Sequence, residues 1–108
     1  MWNILQFHMR LIAASNLIAF AAAYPASAAA LNNFRRMVRA ANWRSMDEVR
    51  AAASTVKVLN GERARFEVAG GKFRLIVAFN FAAGIVFVKF VGTYAEYDKV
   101  DALTGSRF

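Results

Sequence analysis

The sequence predicts an α+β fold: N-terminal helices packed on one face of a curved antiparallel β-sheet, followed by a short C-terminal helix or arm. Three observations predict it. Apolar residues recur at helical spacing through the first half of the chain. After Thr55 the texture changes to two-residue alternation. Three turn dipeptides, Asn60-Gly61, Gly70-Gly71 and Ala82-Ala83, then divide the second half into strands. At 108 residues the chain is long enough for one domain with one core, and residues 1–8 read as an extension ahead of it.

The elements follow in order. Met9 to Ile12 suits a short strand. Ser15 to Ala23 reads as a helix with Ser15 as its cap. Pro25 breaks the chain and fits the first turn of the next helix. Ala26 to Ala41 carries Ala30, Phe34, Met37 and Ala41 on one stripe, with Asn33, Arg36 and Arg39 on the surface. Trp43 reads as a core residue at the helix junction. Ser45 and Glu48 form a capping box for a helix from Met46 to Ala53. Strands are expected over Val56 to Leu59, Arg63 to Ala69, Lys72 to Phe81 and Gly84 to Val91. Thr93 to Val100 reads as a short helix or structured arm.

The turns fix the register, and the register decides which side chains meet. With two-residue loops at Gly70-Gly71 and Ala82-Ala83, Glu67 faces Arg74, Arg65 faces Ile76, Ile76 faces Lys89 and Arg74 faces Val91. One face then collects Phe66, Val68, Phe73, Leu75, Val77, Phe79, Val86, Val88 and Phe90, a core face that the helices must cover. The other face collects Arg63, Arg65, Lys72, Arg74 and Lys89, with Glu67 as the one carboxylate. Solvent faces normally intersperse charges of both signs, and this one does not. It also keeps Ile76, Ala78, Ile85 and Phe87. A basic surface with apolar and aromatic elements suits a single-stranded polyanion whose bases can stack.

Composition agrees. The net charge is +7, from 14 Lys and Arg against 7 Asp and Glu, and 58% of residues are hydrophobic. A folded basic domain suits a nucleic acid, an acidic protein or an anionic membrane surface. The chain has no cysteine and one histidine, His8, so thiolate metal sites and paired-histidine chemistry are excluded. His8 falls in the extension and reads as a surface residue. No cofactor or metal is expected. Leu11 to Ala23 followed by Ala26-Ser27-Ala28 has the texture of an export signal. Ser15 and Asn16 interrupt it, however, and the helical pattern continues past it. The run is also too short to span a membrane.

Three segments resemble one family. Phe66 to Ile76, Phe-Glu-Val-Ala-Gly-Gly-Lys-Phe-Arg-Leu-Ile, resembles the F-N-I-G-G-N-K-Y-R-L-I segment of HigB-type toxins. Phe90 to Asp101 resembles their F-V-G-T-H-A-E-Y-D-K-I-D. Ala41-Asn42-Trp43-Arg44-Ser45 resembles their A-D-W-R-S step. The likeness runs from about Met9 to Ala102. It implies a RelE-like fold and a type II toxin that cleaves mRNA on the translating ribosome, in the cytoplasm. It also implies silencing by a helix-turn-helix, HigA-like antitoxin whose complex with the toxin represses operator DNA. The chain departs from the pattern at four positions. Tyr94 and Tyr24 stand where the family commonly has His, Gly71 where it has Asn, and Ala69 where it has Gly.

RNA cleavage needs no metal when the 2′-OH attacks its own phosphate. Lys72, Arg74 and Lys89 then stabilise the phosphorane, Arg74 with a fork that fits two oxygens. Tyr94 and Tyr97 act as acid or stack on a base. Arg63, Arg65, Lys72, Arg74 and Lys89 form the expected RNA surface. Phenols are weak proton donors at neutral pH, so slow chemistry is expected unless the ribosome positions the RNA. The alternative is an attenuated or non-catalytic RNA- or ribosome-binding homologue. A third reading, an exported basic protein, would strip a helix that the sheet needs.

Overall fold

The computed structural model describes residues 9–108; His8 and the rest of the extension lie outside the described residues. In chain order the elements are β1 (Arg10–Ile12), α1 (Ala14–Ala23), a 3-10 turn (Pro25–Ser27), α2 (Ala28–Ala40), α3 (Met46–Ala52), β2 (Lys57–Val58), β3 (Arg63–Val68), β4 (Phe73–Asn80), β5 (Ile85–Thr93) and α4 (Tyr94–Tyr97). The five strands form one sheet in the order β1-β5-β4-β3-β2. β2 to β5 are an antiparallel meander. β1 joins β5 in parallel, because α1, α2 and α3 separate it from the meander, so the sheet is mixed rather than wholly antiparallel.

The helices cover the expected face. Leu17 of α1, Leu31, Phe34 and Val38 of α2 and Val49 of α3 are buried against it. Phe66, Val68, Phe73, Leu75, Val77, Phe79, Val86 and Val88 all lie in that core. Trp43 is buried and meets Phe79 edge-on at 6.0 Å. The apolar run that resembles an export signal is part of this packing, through Leu17. No helix among the described residues is long and apolar enough to cross a membrane.

Local signals hold with small changes. Ser15 is not a cap; Ala13 takes that position without a side-chain bond, and Ser15 lies exposed in the first turn. Pro25 opens the 3-10 turn, whose Ser27 hydroxyl donates to the Tyr24 carbonyl at 2.7 Å, and α2 starts only at Ala28. Ser45 Oγ accepts from the Glu48 amide, but the Glu48 carboxylate accepts from Arg44 rather than closing the box on Ser45. The Gly70-Gly71 turn needs left-handed backbone at three consecutive residues, φ being 53° at Ala69, 71° at Gly70 and 92° at Gly71. Glycine tolerates this freely and asparagine better than most. Glycine here and asparagine in the resembling segment both suit that backbone at position 71. Ala69 carries a β-carbon in the same strained region.

One register expectation fails, and the failure shapes the molecule. The β3–β4 register is as expected, with Glu67 opposite Arg74 and Arg65 opposite Ile76. From the β4–β5 turn, Asn80 to Val77 also pair as expected with Ile85 to Val88. There a β-bulge intervenes, with Lys89 as the extra residue: Ile76 pairs with Phe90 instead of Lys89, and Arg74 with Gly92 instead of Val91. An extra residue reverses the alternation beyond it. Val91 therefore enters the core, while Phe90, expected there, turns to the outer face with Ile76.

Candidate functional site

The outer face divides where the bulge divides β5. Beyond the bulge, Ile76 and Phe90 are fully buried although they lie away from the main core. What buries them is α4 and the chain after it. Thr93 starts α4 with a complete capping box: its hydroxyl accepts from the Glu96 amide at 3.2 Å, and Glu96 accepts from the Thr93 amide at 2.9 Å. The backbone bond holds the Glu96 carboxyl below its ordinary range, with Arg107 adding to the effect. The Tyr94 amide also donates to the Lys72 carbonyl at 3.2 Å, tying α4 to the start of β4.

This places two tyrosines over the basic residues. The Arg74 guanidinium lies 4.6 Å from the Tyr94 ring centroid and 5.5 Å from that of Tyr97. Arg65 donates to the Tyr97 hydroxyl at 3.1 Å and lies 5.3 Å from its ring. That bond is the main reason the Arg65 guanidinium holds its proton more tightly than an ordinary arginine. Because Arg65 occupies the acceptor side of the Tyr97 oxygen, the hydroxyl proton is left to donate elsewhere. Glu67 sits between the two arginines, 3.2 Å from Arg65 Nε and 3.2 Å from an Arg74 terminal nitrogen. These are close ion contacts with poor alignment: Glu67 Oε2 and both arginine Nε atoms are buried without a hydrogen bond. Two cations share one carboxylate, so the cluster keeps an excess positive charge beside the exposed Tyr94.

Four of the expected site residues, Arg65, Arg74, Tyr94 and Tyr97, are thus brought together. Lys72 is exposed at the rim. Lys89 and Arg63 are not part of the cluster. Lys89 is the bulge residue, with its ammonium 5.4 Å from the Phe87 ring. Arg63 donates to the carbonyls of Ala102 and Gly105 at 3.3 and 2.8 Å, so it anchors the C-terminal segment. Tyr24 lies on the helical side, stacked on Phe20 at 4.6 Å and near Phe73. Among the described residues no group of three His, Cys, Asp or Glu side chains could hold a metal ion.

Sequence reasoning missed the C-terminal segment. The Arg107 amide donates to the Lys89 carbonyl, which the bulge frees from the ladder, and its guanidinium reaches the Val91 carbonyl and Glu96 and lies 4.9 Å from the Phe90 ring. Nothing in the residue spacing announces these contacts. The bulge creates both the free carbonyl and the outward-facing Phe90.

Helices on one face of a small mixed sheet make an α+β protein, consistent with a RelE-like toxin. The chain belongs to the HigB toxin family, the RelE-like toxic component of a toxin–antitoxin system, whose family model matches residues 27–100. No curated protein matches the chain as a relative. Toxins of this kind are generally endoribonucleases, and membership implies an antitoxin partner.

Proposed function

We propose that this toxin cleaves mRNA on the translating ribosome, in the cytoplasm and without a metal, and so stops translation. The observation that carries the reading is Arg74, held between Glu67 and the rings of Tyr94 and Tyr97 on the outer face of the sheet. A phosphate entering beside Tyr94 meets a guanidinium already held in place by Glu67 and two aromatic rings, and such preorganised charge is usually the largest catalytic contribution. The 2′-OH loses its proton to a solvent water as its oxygen bonds to the adjacent phosphorus, and the bond from that phosphorus to the 5′-oxygen breaks, leaving a 2′,3′-cyclic phosphate. Tyr97, whose oxygen is engaged by Arg65, gives its proton to that leaving oxygen. Tyr94 is exposed and stacks on a base. Lys72 adds positive charge at the rim. A helix-turn-helix, HigA-like antitoxin silences the toxin, and their complex binds operator DNA.

The test is expression of the unaltered chain and of Arg74→Ala, with primer extension on a reporter transcript. New 5′ ends and growth arrest are expected from the first and neither from the second. A second reading, a non-catalytic ribosome-binding homologue, is favoured by one observation: tyrosine stands at position 94 where the resembling segment has histidine. It predicts salt-sensitive co-sedimentation with ribosomes and no new ends.

A further inference from the structure

The bulge leaves the other half of the outer face open. In register, Arg65, Ile76 and Phe90 form one row across β3, β4 and β5, and Tyr97 covers it. The next row toward the β4–β5 turn is Arg63, Ala78 and Phe87. Here the central residue is a single methyl group between a guanidinium and an aromatic ring. The result is a groove of about 600 Å³, lined also by Lys89, Asn80 and Glu62. Ala78 lies four residues along β4 from Arg74, so the groove floor is about 13 Å from the arginine–tyrosine cluster.

We infer that this groove is a second nucleotide subsite, in which a base of the same RNA strand stacks on Phe87 while Lys89 holds its phosphate. The inference rests on the reading of RNA as substrate. Phe87 and Lys89 are both only half-buried, and the Lys89 ammonium makes no ion pair or hydrogen bond among the described residues. Its one contact of note is with the Phe87 ring, which it exchanges for the phosphate when a base takes that ring. Glu62, beside Arg63 on the β3 side of the groove, and Asn80 offer polar groups to a base edge. A stacking ring next to an unpaired cation, in line with a second cation cluster, fits a single strand tracked along a groove. Arg63, anchored on the C-terminal carbonyls, fixes the groove wall.

The experiment is fluorescence anisotropy with a labelled hexanucleotide carrying 2′-O-methyl groups throughout, which binds but cannot be cut. Thermal unfolding of every variant is measured alongside. Phe87→Leu, which keeps an apolar side chain, is expected to weaken binding about tenfold. Phe87→Trp is expected to bind as well as the unaltered chain, with its added fluorescence quenched by the oligonucleotide. Lys89→Ala is expected to lower the slope of log affinity against log salt by about 0.7. If Arg74→Ala weakens binding while Phe87→Leu does not, the subsite is overturned and RNA binding stands. Should Phe87→Leu fail to fold, an unquenched Phe87→Trp overturns the subsite by itself. If the unaltered chain does not bind the hexanucleotide at low salt, the subsite is overturned, while primer extension still decides the cleavage reading.

Discussion

The two faces of the sheet are built from the same strands and do opposite work. The core face is a continuous apolar surface closed by α1, α2 and α3, and its residues are interchangeable in kind: any set of similar volume would hold the fold. Among the described residues the outer face buries Ile76, Phe90 and Gly92, under a four-residue helix and a tail tied down by polar contacts. What the difference teaches is that one bulge residue, Lys89, converts an ordinary solvent face into the candidate site. It turns Phe90 outward, and Phe90 gives α4 something to sit on. α4 then brings Tyr94 and Tyr97 over Arg74 and Arg65.

That comparison can be broken in graded ways. Leu75→Ala on the core face removes a fully buried side chain and is expected to cost about 2–5 kcal/mol of stability. Chemical denaturation reads this directly; a loss below about 1 kcal/mol would mean the two faces do not divide the labour as described. Arg74→Ala on the outer face is expected to reduce cleavage about 100- to 1,000-fold. It should lower stability far less than Leu75→Ala, because Glu67 keeps Arg65 as partner. Arg74→Lys, which keeps the charge and loses the fork, should recover only part of the activity.

Gly92→Ala probes the seam between the faces. A β-carbon there would lie 2.5 Å from the Phe90 ring and 2.8 Å from the Glu96 carboxylate. The expected cost is about 1–3 kcal/mol, with α4 displaced and cleavage reduced together. Unchanged cleavage would show that α4 does not position the site. Ala69→Gly relieves left-handed backbone strain and is expected to raise stability by about 1 kcal/mol. The smallest effect concerns pH. The folded state depresses the Glu96 carboxyl from its usual 4.5, so its contribution is fully present above that pH and fades as pH falls below it. In Glu96→Gln the stability difference from the unaltered chain should accordingly shrink on acidification; a difference that is flat with pH would remove the carboxylate from the account.

Much of the fold was legible because it rests on local rules. The period switch at Thr55, the Ser45 cap of α3 and the Gly70-Gly71 turn each act over a few residues. Together they placed eight of nine expected core residues on one face. Phe90 was misplaced because strict alternation assumes an unbroken ladder. Arg65 and Arg74 were readable as neighbours of Glu67 from the turn alone. The tyrosine stacking on them was not, because it depends on where α4 lands.

The sequence by itself determined the α+β order of elements, the apolar and basic faces, and the residue types available for chemistry. Those follow from periodicity and charge, which every few residues restate. Only the tertiary structure decided which of the five outer cations act together. The bulge, the landing of α4 on Phe90 and the docking of Arg107 on freed carbonyls are contacts between segments distant in the chain, and their energies exist only once the sheet has formed. They gather Arg65 and Arg74 under two tyrosines, set Arg63 to holding the tail, and leave Lys89 beside Phe87 over an open groove.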